Sequence, residues 1–145
     1  MLKLYLTGYE GERLEDFLKR LKKFRIKAVI DVREIPLSRK NSFSKKNLDE
    51  ILSRRGIRYY HFPGLGSPKR MREKLHSTDD YLTFFKEYRN HINKKKSSIN
   101  KLIEIILKEK VVVLLCYEKR YELCHRSIVT DKIMAFNPQI AATPI

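Results

Sequence analysis

The chain has 145 residues, enough for one domain whose core needs neither disulfides nor metals. Its 32 Lys plus Arg against 17 Asp plus Glu leave a net charge of +15, which favours anionic partners, nucleic acid first, through long-range attraction and counterion release. Two cysteines cannot make a disulfide framework, and no segment approaches the ~20 consecutive apolar residues that a membrane-spanning helix requires.

The opening residues, "MLKLYLTGYEGE", lack the charged, apolar, then small pattern of a signal peptide, so the expectation is a soluble, cytoplasmic protein with reduced thiols and no membrane partner. An excess of Lys, Arg and Ile beside a single glutamine, Gln139, also suits a thermophile, an alternative source of the positive charge.

In chain order, "KLYLT" (3–7) alternates as a first strand and stops at Gly8. Leu14, Phe17, Leu18, Leu21 and Phe24 then recur at helical spacing. "KAVIDVR" (27–33) reads as a second strand and "PLSRKNSFS" (36–44) as a polar loop. Leu48, Ile51 and Leu52 mark a short helix capped by Ser44 and ended by Gly56, and the aromatic-rich "IRYYHF" (57–62) is a third strand.

"PGLGSPKRMREKLHS" (63–77) reads as a turn-rich connection. It leads to a helix with Tyr81, Leu82, Phe84, Phe85, Tyr88 and Ile92 on its buried side. A further helix carries Ile99, Leu102, Ile103, Ile106 and Leu107. The run "VVVLLC" (111–116) is apolar on both faces and therefore a strand covered on both sides. A helix from Leu123 to about Phe136 and an edge strand in "QIAATPI" complete the chain. The alternation predicts a single α/β domain over residues 1–145, with a mostly parallel sheet of four to five strands and helices on both faces.

In such sheets ligands bind beyond the carboxyl ends of the strands. Each predicted strand is apolar in its body and polar where it stops: Tyr9 after the first, Asp31 and Arg33 at the second, His61 at the third, Cys116 and Glu118 at the fourth. Side chains two apart share one face of an extended chain, so Asp31 with Arg33, and Cys116 with Glu118, can line one pocket. Alternatively, Asp31 and Arg33 simply pair with each other. "CHRS" (124–127) opens the last predicted helix, where free amides and the helix dipole favour an anion. Arg126, with Arg33, Ser38 and Arg39 from other loops, would then form an anion seat. A thiol there would be acidified and nucleophilic; the plainer reading makes Cys124 a small buried hydrophobe and His125 a cap.

Cys116 does not head the Cys-x5-Arg loop of cysteine phosphatases, because the residue six after it is Glu122 where that loop needs arginine. Cys116, Cys124, His125 and His61 could together hold zinc, yet their spacing fits no common zinc signature, so neither a metal nor a cofactor is expected. Two function classes remain. One is a nucleic-acid or nucleotide-directed protein whose partner is nucleic acid or a phosphorylated small molecule. Its Arg33, Arg39 and Arg126 would hold phosphate, Asp31 or Glu118 would serve as acid, base or electrostatic stabiliser, and His61 or His125 would shuttle a proton. The other is a thiol enzyme, sulfurtransferase-like or phosphatase-like, using Cys116 or Cys124, beside which stands a module that binds an anion without catalysis.

Taken together, "LTGYE", "DVREIPLSR" with Phe43, "GIRYYHFPGLG" and "LLCYEKRYELCHRSIVTDKI" resemble the prokaryotic family catalogued as domain of unknown function 488, from about residue 4 to 134. The resemblance implies a compact α/β domain with signature positions at Asp31, Arg33, Ser38, Tyr59, Leu65, Gly66, Cys116, Glu118, Cys124, His125 and Arg126. It implies no particular reaction.

Overall fold

The computed structural model describes residues 2–145, the side chain of Tyr121 excepted. Five strands, β1 (Lys3–Gly8), β2 (Ala28–Asp31), β3 (Arg58–His61), β4 (Val111–Cys116) and β5 (Ala141–Pro144), form one all-parallel sheet in the order β3-β2-β4-β1-β5. Six α-helices accompany them: α1 (Leu14–Lys23), α2 (Lys45–Arg54), α3 (Lys69–Thr78), α4 (Tyr81–Ile92), α5 (Lys96–Glu109) and α6 (Arg126–Phe136).

The sheet separates two apolar cores, as the period-two alternation of its strands requires. On one face Leu4, Leu6, Ile30, Val112 and Leu114 pack beneath α4, α5 and α6; on the other Val29, Val113 and Leu115 pack beneath α1 and α2 through Phe17, Leu21, Leu48 and Leu52. The helix leaving β1 therefore lies on the opposite face from the helix leaving β4, although these strands are neighbours. Such a divergence opens a crevice at the carboxyl ends.

Register brings the strand ends level. Gly8 stands opposite Cys116, and Asp31 opposite both Leu115 and His61. Two glycines let the loops beyond settle close to the sheet. A Cβ on Gly8 would lie 1.8 Å from the Glu118 carbonyl oxygen, and one on Gly66 would lie 2.1 Å from the Glu34 backbone nitrogen.

Four sequence expectations need correction. The connection after β3 contains a full helix, α3, which buries Met71 and packs on α4. Its amino end is capped from outside: the Lys69 amide and Arg72 Nη1 both donate to Glu34 Oε1, at 3.0 and 3.1 Å. Leu82 is 85% exposed, and Phe84, Tyr88 and Ile92 form the buried side of α4. Ser44 occupies the position before α2 without capping it, its Oγ instead accepting a hydrogen bond from the Ser38 amide at 3.1 Å. The last helix starts at Arg126, after a 3-10 turn at Tyr121–Leu123. Among the described residues no helix is long and apolar enough to cross a membrane.

Candidate functional site

The crevice between β1 and β4 is a cleft of about 640 Å³. Tyr9, Cys116, Glu118 and His125 contribute to its lining at the sheet edge, as does Arg33; Ser38, Arg39 and Lys40 come from the loop after β2, and Ser67 and Arg72 from the start of α3. A smaller cavity of about 220 Å³ shares Ser67, Arg72, Glu118 and His125 with it and adds Cys124.

The residues predicted for the site divide into those that line this cleft and those that support it. Asp31 is fully buried and outside the lining. Its Oδ1 accepts from Arg33 Nε at 2.8 Å and from the Arg33 amide at 3.1 Å; its Oδ2 accepts from Arg33 Nη2 at 2.7 Å and from the Tyr59 hydroxyl. Arg33 Nη1 donates to the Tyr9 hydroxyl at 3.0 Å. Burial opposes the charge of Arg33, but the Asp31 contacts and Tyr9 outweigh it and raise the pKa; burial first, and then the Asp31 charge, raise that of Tyr59. This is the mutual pairing that the sequence left open. It leaves Asp31 no free oxygen for proton transfer while fixing the cleft wall.

His61 and Arg126 also stand behind the wall. His61 Nε2 bonds the Arg33 carbonyl at 2.8 Å. Arg126 is fully buried, with Nη2 donating to the Glu118 carbonyl and with Nε and Nη1 lacking hydrogen-bond partners. Arg126, expected to seat an anion, thus lies outside the cleft lining and reaches the loop that carries Glu118 from beneath. Besides Arg33, which is paired with Asp31, the cations that face the cleft are Arg39, exposed and without an ion pair among the described residues, and Lys40 and Arg72. Lys40 Nζ is tied to the carbonyls of Tyr9 and Glu12 at 3.3 and 2.5 Å.

The chemical centre is a buried group of two thiols, an imidazole and a carboxyl. Cys116 Sγ donates to Glu118 Oε2 at 3.1 Å. His125 Nδ1 lies 3.4 Å from Cys124 Sγ and 3.9 Å from Cys116 Sγ, and its Nε2 meets the Val32 carbonyl at 2.7 Å. Because a carbonyl only accepts, Nε2 carries a proton and Nδ1 is turned toward the sulfurs. The hydrogen bond to Cys124 and burial push Cys116 well up. Burial works against ionisation of Cys124, yet the bond from Cys116 and the charges of His125 and Arg126 bring it well down. Burial opposes the charge on His125, but the Cys124 sulfur raises its pKa; burial, then the Cys124 charge, raise Glu118.

The sequence profile of the family described as Domain of unknown function DUF488 matches residues 13–133. The chain belongs to this family. The DUF488 match spans every element that builds the cleft except β1, and so covers Asp31, Arg33, the 38–40 loop and the Cys116 to Arg126 segment. No curated protein and no solved structure matches the chain. Sequence reasoning missed Lys40, Ser67 and Arg72 in this DUF488 cleft. The signal for Arg72 was Met71 and Leu75, spaced i to i+4 just after Pro68, which marks a helix start.

Proposed function

We propose that this DUF488 protein binds the phosphate of a nucleotide or nucleic acid in the cleft between β1 and β4 and performs acid–base chemistry there with Glu118 and His125. The observation that carries the reading is the shared lining: a carboxyl with a raised pKa, a thiol and an imidazole lie in the same cleft as the unpaired Arg39 and the half-buried Arg72. A carboxyl whose pKa is raised above the ordinary carboxylate range by burial suits an acid–base role. The net charge of +15 would gather anions from a distance, and Arg39 would seat one phosphate by a charge-assisted hydrogen bond. Asp31, Arg33, His61 and Arg126 support the wall.

The test is a titration of the isotope-labelled protein with inorganic phosphate and then a mononucleotide at fixed ionic strength, followed by amide NMR shifts. The expected footprint is residues 37–40, 67–72 and 117–119. Shifts spread over the lysines of α1 and α5, with the cleft silent, would reduce the charge to a diffuse field.

A second reading rests on the Cys124 to His125 contact at 3.4 Å and on the buried Arg126 charge that favours a thiolate nearby. It makes the protein a thiol enzyme with Cys124 as nucleophile. Its mark would be rapid alkylation of Cys124 near neutral pH while Cys116 stays inert.

A further inference from the structure

We propose that Cys116, Cys124 and His125 form a binding site for a tetrahedral divalent transition-metal ion, zinc by the chemistry of its ligands, at the edge of the cleft. The Sγ, Sγ and Nδ1 atoms all lie within 4.8 Å of one another. A zinc ion with bonds of about 2.3 Å to sulfur and 2.0 to 2.1 Å to nitrogen in tetrahedral geometry separates an S and an N ligand by ~3.6 Å. The observed sulfur-to-nitrogen separations of 3.4 and 3.9 Å bracket that value.

The surroundings of His125 are those of a ligand already oriented. Nε2 donates to the Val32 carbonyl at 2.7 Å, which fixes the tautomer and points the Nδ1 lone pair at the thiols. The Tyr88 ring meets the imidazole edge to face at a centroid distance of 5.2 Å. Two sulfurs and one imidazole select zinc over magnesium or calcium, which require oxygen. In the sequence these ligands fall at the end of β4 and just before α6, two of them adjacent in the chain, a spacing outside the usual zinc signatures, while His61 is turned instead to the Arg33 carbonyl.

Three protein ligands leave one tetrahedral position. Cys116 and His125 belong to the cleft lining, so that position opens into the cleft, beside the Glu118 carboxyl. The inference deepens the acid–base reading of the cleft by naming a hydrolytic chemistry. With Cys116 bound to the ion as a thiolate, Glu118 loses its S–H donor and stands ionised beside the fourth position: it would take the proton of the attacking water, whose oxygen bonds to the electrophilic atom of the substrate, and return that proton to the leaving group as its bond breaks.

The experiment uses the full chain, stripped of metal under reducing conditions and titrated with Zn²⁺ and with Co²⁺. The expected result is one equivalent of either ion per chain, with cobalt giving thiolate-to-metal charge-transfer absorption and intense tetrahedral ligand-field bands. Cys116→Ser, Cys124→Ser and His125→Ala, each checked for folding by circular dichroism, should each weaken binding by more than the ~100-fold typical of losing an outer-shell partner. Lys108→Ala should bind as the parent does. The parent spectrum decides the matter even if a variant fails to fold. Absence of a stoichiometric complex, a cobalt spectrum without thiolate absorption, or thiols that alkylate equally fast with and without zinc would overturn the site. Phosphate titration of the metal-free protein reports on the cleft alone, so failure of the metal site and failure of the anion reading are told apart.

Discussion

Glu118, Cys116, Cys124 and His125 differ from surface residues in how many of their protons the fold controls. Cys116, Tyr59 and Tyr88 all have pKa values raised above their ordinary ones, Cys116 chiefly through its bond to Cys124 and the two tyrosines chiefly through burial. The unfolded chain releases those protons near the ordinary values of 9.0 for the thiol and 10.0 for the phenols, whereas the folded chain retains them. The native state then binds more protons than the unfolded state, so stability is full below those values and falls as pH rises toward the folded ones. Each such group contributes a slope of about 1.4 kcal/mol per pH unit in that window. Urea unfolding of the reduced, metal-free protein between pH 7 and 10.5 should show a midpoint that declines with increasing steepness above about pH 9. A flat profile would mean that these groups are more hydrated than their burial indicates.

At the same scale, the types of residue in the site were legible in the sequence and their orientations only partly so. Cys116, Glu118, His125, Arg33, Ser38 and Arg39 reach the cleft because the register of β1, β2 and β4 ends the strands level. Arg126 does not, because its guanidinium turns inward to the Glu118 carbonyl; the helix-start argument fixes where the residue sits in the chain and not which way its side chain points.

Among the elements, the strands were readable because a parallel sheet covered on both faces demands unbroken apolar segments such as "VVVLLC", and little else in the chain has that character. Helix α3 was hidden for the opposite reason. It buries only Met71, and its cap is the Glu34 carboxylate, 35 positions away from Lys69. A cap supplied across the fold leaves no local signature. The closest element contacts lie at Gly8 and Gly66, where the loops carrying Glu118 and Glu34 rest on bare backbone. Gly8→Ala forces the 117–118 segment away from β1. Overpacking of this kind costs ~1 to 3 kcal/mol, and more where the obstructing atom is backbone. The expected outcome is a lowered urea midpoint together with weakened phosphate binding, whereas Gly11→Ala, with open space at its Cβ but a φ of +70°, should lose stability alone. Unchanged phosphate affinity in a folded Gly8→Ala protein would mean that the Glu118 loop does not shape the cleft.

For the whole molecule, two scales of electrostatics coexist: a diffuse field from the net charge of +15, and a cleft whose rim carries Arg39, without an ion pair among the described residues. Binding of a short single-stranded oligonucleotide should fall with salt, the slope of log affinity against log salt being about −0.7 for each phosphate neutralised. Salt alone cannot separate the field from the cleft, since both are screened. A comparison of two arginine and lysine truncations can. Arg39 stands in the cleft lining, while Lys108 is exposed near the end of α5, toward the amino edge of the sheet. Each substitution to alanine removes one positive charge. A charge-assisted hydrogen bond is worth ~1.5 to 3 kcal/mol, against at most ~1 kcal/mol for a screened surface charge. The most direct measurement is therefore mononucleotide affinity at one fixed ionic strength for Arg39→Ala and Lys108→Ala. The expected result is a loss of at least about tenfold for Arg39→Ala and less than about fivefold for Lys108→Ala. Equal losses in the two variants would contradict a phosphate-binding cleft.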